Sequence, residues 1–246
     1  MRPLLRYAPL LIVALAWEAV SRAGLVSHAL LPSFSDVVAA FIGLLRDGSL
    51  LQNGVQSIWR ALLGFLAAIL VGSALGAGMA LSPRVRLAVN PLVQIFYPLP
   101  KSALIPLVLV WFGLGNLSKT FLVFLGCLLP MILSTFNGLN GIDPVLAWSA
   151  RSLGASRSQV VREILLPAAM PQILTGIRTT IAFMFLLMVS SELVIATNGL
   201  GFMIGMLGDN GAYPAMFAVI LTVTALGFLA DRGFLAVSRF VLRWRE

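Results

Sequence analysis

One cysteine and one histidine in 246 residues leave this chain without the material for a disulfide or a cluster of metal ligands. Cys127 lies inside an apolar run, and His28 stands alone. Charge is scarce too: 11% of residues are Asp, Glu, Lys or Arg, against about a quarter in a soluble domain. No Gly-x-x-x-x-Gly-Lys-Ser/Thr stretch occurs, so a phosphate-cradling loop is excluded and nucleotide-driven work would need another chain. Internal repeats, low-complexity tracts and stretches polar enough for a soluble domain are absent as well. What the chain has is apolar. Hydrophobic residues make up 59% of it and mean hydropathy is +0.98, which places it among all-α integral membrane proteins.

The spans can be counted from charge to charge. Residues 61–83, 120–142 and 210–230 give 23, 23 and 21 uncharged positions, each enough to cross about 30 Å of hydrocarbon. Residues 87–118 form a broken span crossed by Pro91, Pro98, Pro100 and Pro106, with Lys101 in its middle. Residues 179–196 are a further span with Glu192 well inside it. The N-terminal segment has basic residues ahead of an apolar core at 7–17 and reads as a retained anchor helix, because Glu18 and Arg22 stand where a small-residue cleavage site belongs. Six transmembrane helices result. Residues 31–45 open with Ser33 and Asp36 in capping-box spacing and lie in the interface. The organisation expected is an anchor helix and an extracytoplasmic interfacial helix over 1–56, then a core over 57–246.

The formal net charge of +8 suits membrane orientation better than nucleic acid. With the N-terminus inside, twelve of the seventeen basic residues fall on the cytoplasmic side, against Arg22, Arg46, Arg60 and Lys119 outside. That bias puts both termini and residues 143–178 in the cytoplasm.

Residues 143–178 are a polar island between apolar spans. Asp143-Pro144 reads as a helix start, Gly154 as a left-handed stop, and Ser156 with Gln159 as a capping box. Val160, Val161, Ile164 and Leu165 share a face turned from Arg157, Arg162 and Glu163. Pro167 is expected to end this helix and Pro171 to open the next.

The spacing of Ala150, Gly154, Ile164, Leu166 and Pro167 resembles the EAA loop of bacterial ABC-importer permeases, whose pattern is Glu-Ala-Ala, three residues, Gly, nine residues, Ile, one residue, Leu-Pro. Trp148 and Ser149 stand where that pattern has Glu and Ala, so the contact of that Glu is not carried over. Further elements, Ser57-Ile58-Trp59-Arg60, Tyr97-Pro98-Leu99-Pro100-Lys101, Trp111-Phe112-Gly113 and Gly199-Leu200-Gly201, are similar to the sulfonate, taurine and nitrate branch. Leu31-Pro32-Ser33-Phe34 departs from that branch only at Phe34. The resemblance runs from about residue 31 to the C-terminus. It implies a type I importer permease in the bacterial inner membrane, working as a homodimer with two ATP-binding subunits and an extracytoplasmic solute-binding protein. ATP would be bound by the partner, the chain needing no cofactor, metal or catalytic residue of its own. Ala150, Gly154, Ala155, Ser156, Ile164, Leu166 and Pro167 would form the ATPase-coupling loop.

Two rivals come from other classes. A secondary transporter also uses broken helices, but leaves the long amphipathic loop unexplained. An intramembrane enzyme needs clustered groups, whereas Glu18, Lys101 and Glu192 sit in separate spans.

Candidate path or gate residues are Lys101, Pro98, Pro100, Glu192, Asn198, Gly199 and Gly201. A charge at mid-bilayer costs about 2.5–3.5 kcal/mol on insertion scales, so Lys101 either pairs with Glu192 or lines a wet cavity that would attract an anion. Asn198-Gly199-Leu200-Gly201 reads as an outer gate or a surface turn. Gly72 and Gly76 permit close helix approach, within the subunit or between subunits. Met184, Met188, Met203 and Met206 read as core, and Arg239, Arg243 and Arg245 as headgroup anchors.

Overall fold

A computed structural model describes residues 2–245, without the side chains of residues 2–7, 10, 195 and 245, so the charges of Arg2, Arg6 and Arg245 lie outside it. Among the described residues every regular element is helical. The order is α1 (Arg2–Arg22), α2 (Phe34–Arg46), α3 (Ser49–Leu81), α4 (Pro83–Phe96), a 3₁₀ turn (Lys101–Leu104), α5 (Ile105–Phe112), α6 (Asn116–Asn140), α7 (Pro144–Ser152), the single turn α8 (Arg157–Gln159), a π turn (Val160–Leu165), α9 (Leu166–Ile195), α10 (Leu200–Asp209) and α11 (Tyr213–Val241).

Among the described residues α3, α6, the run Arg157–Val194 and α11 are long and apolar enough to cross a membrane. The pair Pro83–Phe96 and Lys101–Phe112, bent by 91°, gives a fifth crossing. The expected sixth crossing falls on α1, which is helical over 21 residues, and the side chains of residues 2–7 and 10 of that helix lie outside the described ones.

By contacts the chain divides at Ser57/Ile58, Ser191/Glu192 and Ala225/Leu226, so that the N-terminal segment and residues 192–225 form one unit and the remainder another. In the first unit, α1 and α2 meet around Trp17, which packs edge-on against Phe34 and Phe217 and donates its indole N–H to the Pro32 carbonyl at 2.8 Å. Ser33 caps α2 through the Asp36 amide, and the Glu18 carboxylate accepts the Ser35 amide. These bonds satisfy donors that an N-terminus leaves open.

The second unit is built on α3 against α6. A Cβ at Gly64 would fall on the Thr120 carbonyl, at Gly72 2.8 Å from Met131 Cβ, and at Gly76 2.5 Å from the Ile132 carbonyl oxygen. The glycine ladder therefore serves packing inside the subunit, where backbones can approach only without a side chain. Ala61, Phe65 and Ala68 of α3 meet Val123 and Cys127 of α6 and Met184, Leu187 and Met188 of α9 in one buried cluster. Met203 is buried as well, while Met206 is 39% exposed and leaves the core that was expected to hold it.

Two sequence expectations need correction. Pro167 does not end a helix and Pro171 does not start one, because the helical run continues from Arg157 to Val194. The π turn explains the first. Leu166 donates to the Val161 carbonyl five residues back, and that wider turn opens room for the Pro167 ring beside the carbonyl it would otherwise strike. Pro171 simply sits inside α9. Arg60 and Lys119, expected as flanking charges outside the spans, are 4% and 3% exposed, and α3 begins at Ser49, well before Arg60. Partners make this burial possible, Lys119 giving one bond to the Leu114 carbonyl at 3.2 Å.

Candidate functional site

Three groups of residues carry the candidate chemistry. The first is the loop over residues 143–178. Asp143 caps α7 by accepting the Val145 amide at 2.9 Å. At the other end Gly154 takes φ +89°, its N–H reaches the Arg151 carbonyl, and the Ala155 N–H reaches back to Ala150 at 3.0 Å. This crossed pair of bonds is the Schellman arrangement, which needs a left-handed residue at Gly154. Ala150, Gly154 and Ala155 are thus joined by backbone geometry alone. Ser156 follows with a complete capping box to Gln159. Val160 is buried, Val161, Ile164, Leu165, Leu166 and Pro167 are half-buried, and Arg157, Arg162 and Glu163 are exposed. The outer side of the loop is apolar at Val145, Leu146, Trp148 and Leu153, the last 89% exposed.

The second group surrounds the break between α4 and α5. The Lys101 ammonium donates to the Phe96 and Tyr97 carbonyls, both at 2.9 Å. These are carbonyls at the end of α4, where the helix runs out of internal donors and its dipole favours a cation. Pro98, in a bend, and Pro100, extended, form the link that turns Lys101 back onto them, neither having an N–H to compete. Lys101 also lines a cavity of about 780 Å³, together with Tyr97, Leu99 and Pro100. Its remaining wall includes Ser134, Asn137, Thr179 and Ser190, with apolar surface from Leu129, Phe183 and Leu187. An ammonium with hydroxyls and one amide over an apolar floor can hold a small anion. The polar wall residues were not singled out in the sequence, because Ser, Thr and Asn scattered over two helices leave no local spacing to read.

The third group is built on Glu192, which is 1% exposed. Its carboxylate accepts the Ser57 hydroxyl at 2.7 and 2.8 Å and the Gly201 amide at 3.0 Å. Lys101 and Glu192, the two ions expected as a possible pair, fall in separate units, and each has hydrogen-bond partners of its own. The Ser57 hydroxyl in turn accepts the Leu200 amide at 2.8 Å, and Asn53 Oδ1 accepts the Gly199 amide at 2.6 Å. Gly199 has φ +114°, and a Cβ there would lie within 2.5 Å of both Glu192 oxygens. Asn198 is half-buried beside it. Gly199 and Gly201 are therefore the buried start of α10, not a surface turn. Asn53 and Ser57 escaped notice as site residues, although their i, i+4 spacing puts both on one face of α3.

Comparison with known proteins matches residues 61–243 to the model of the family described as "Binding-protein-dependent transport system inner membrane component". Taurine transport system permease protein TauC of Escherichia coli (strain K12) is 34% identical over 98% of this chain and 92% of its own. A Bacillus subtilis (strain 168) protein named as an aliphatic sulfonates transport permease protein, SsuC, is 34% identical over 97% of this chain and 86% of its own. Among solved structures, the MetNI methionine ABC transporter in an inward facing conformation superimposes with a TM-score of 0.67 at 20% identity, over 78% of this chain and 96% of that one. That last likeness concerns the fold.

Proposed function

Because this chain belongs to the binding-protein-dependent transport system inner membrane component family, we propose that its cavity conducts a small sulfonate anion such as taurine. Membership itself makes the chain a permease subunit of an ABC importer, an inner-membrane protein that works with an ATPase subunit and a solute-binding protein, ATP being hydrolysed on the ATPase. The carrying observation for the substrate is Lys101 in the wall of the 780 Å³ cavity. Two of its three N–H donors rest on α4 carbonyls, which fixes the ammonium while leaving a third for an oxygen of the solute. A sulfonate offers one charge and three acceptors, a match for this cation and the hydroxyls of Ser134 and Ser190. The names of the relatives TauC and SsuC support the same class.

The assembly we infer is a homodimer carrying two ATPase subunits, with both termini in the cytoplasm. In it the exposed apolar edge of α7, with the Gly154 junction and the Ser156 capping box, docks on the ATPase. Gly199 to Gly201 belong to the outer gate. For the substrate the test is uptake of labelled taurine by the whole importer in cells lacking other sulfonate uptake. Lys101→Met should insert normally and slow uptake at least about tenfold, the loss of one charge-assisted contact. Unimpaired uptake by that variant, or no taurine uptake by the parent, would refute the reading.

A further inference from the structure

We propose that Glu192 is a positioning residue that, with Asn53 and Ser57, clasps the first amides of α10 and holds the importer in a resting state with low ATP turnover. Three consecutive N–H groups, of Gly199, Leu200 and Gly201, are each taken by a different side chain: Asn53, Ser57 and Glu192. Two of these come from α3 and one from the end of α9, so the start of α10 is tied to both helices at once. The Asn53 side chain is itself oriented by its amide, which donates to the Ser49 carbonyl at 2.9 Å.

The chemistry is closer than an ordinary turn requires. Ser57 has one hydrogen and shares it between both carboxylate oxygens, so its lone pairs face the Leu200 amide. Without the carboxylate the hydroxyl loses the group that sets its direction. Gly199 closes the arrangement from the other side, having left no room for a side chain between its Cα and the carboxylate. A neutral acceptor would suffice to cap a short helix. A buried carboxylate in a membrane segment is costly and gives stronger, charge-assisted bonds, which suits a joint that must bear load.

The joint also sits where load can be transmitted. The helical run Arg157–Val194 carries Glu192 near one end and begins immediately after the Ser156 cap. Meanwhile α10, at 10 residues, is too short to cross the membrane and depends on its anchors. Releasing the clasp therefore detaches α10 from the far end of the helix that continues the coupling loop. The proposal rests on family membership and the clasp geometry and needs no assumption about the solute.

The test uses the purified permease–ATPase complex in nanodiscs, with neither solute nor binding protein. Hydrogen exchange is followed over residues 197–203 alongside ATP hydrolysis. Glu192→Ala should speed exchange there roughly tenfold or more, as expected when a bond to a charged acceptor is lost, and should raise ATP hydrolysis severalfold. Ser57→Ala should move both in the same direction by less, and Glu192→Gln, which keeps one acceptor oxygen, should restore part of the protection and of the low turnover. Faster exchange with unchanged ATP hydrolysis would reduce the clasp to local structure and overturn the proposal. Unchanged exchange would overturn it outright. Should Glu192→Ala fail to assemble, Ser57→Ala and Glu192→Gln decide by the same two readings.

Discussion

Replacing Gly76 by valine tests how α3 and α6 are held together. A Cβ at Gly76 would stand 2.5 Å from the Ile132 carbonyl oxygen and 2.8 Å from Thr135 Cβ, whereas ordinary contact begins at 3.4 Å. The first atom is backbone and the second is bonded directly to the Cα of Thr135, so neither can swing aside. Helix α6 would have to retreat by about 0.9 Å for the Cβ alone, and valine adds two methyl groups beyond it. Overpacking on this scale costs about 1–3 kcal/mol, and we expect the upper end. Any gain from leaving glycine behind is under about 1 kcal/mol. Gly233→Val in α11 is the control, because a Cβ there meets nothing within 4 Å, and such a site should stay within about 0.5 kcal/mol. Thermal unfolding in detergent, followed by tryptophan fluorescence, should place Gly76→Val clearly below the parent and Gly233→Val beside it. A Gly76→Val protein that melts with the parent but loses subunit association would refute the reasoning and return the glycines to an interface between subunits.

Orientation is checked with reporter fusions after Arg46, after Arg157 and after Asp209. The first and third should report outside and the second inside, and an outside signal at Arg157 would remove the coupling role of the 143–178 loop. For Gly154→Val, the residue must hold φ near +89° with no neighbour within 4 Å, so the cost of about 1–2 kcal/mol is purely backbone and local to the junction of α7 and α8. Insertion and ATP hydrolysis should persist while uptake falls, and full uptake would show that the junction does not need its left-handed turn.

The parts of this protein legible in the sequence are those whose partners lie within a few residues. Composition determined the membrane class, uncharged runs determined three of the crossings, and apolar runs carrying a single charge each determined two more, since a span is limited by charge and length. The caps at Asp143 and Ser156 and the left-handed Gly154 were equally legible, because each bond they make closes over two to five residues. Pro167 and Pro171 misled for a related reason. Their local rule is helix breaking, and it was overridden by a π turn and by packing of α9 against α3 and α6. Only the tertiary structure could decide what lies opposite a glycine ladder and which side chains line the cavity beside Lys101. The clasp on α10 is the extreme case: Ser57 and Glu192 are 135 residues apart and Asn53 and Gly199 146 apart. Nothing in local spacing encodes such a bond, because it is created when two helices meet and a buried carboxylate must find donors wherever the fold supplies them.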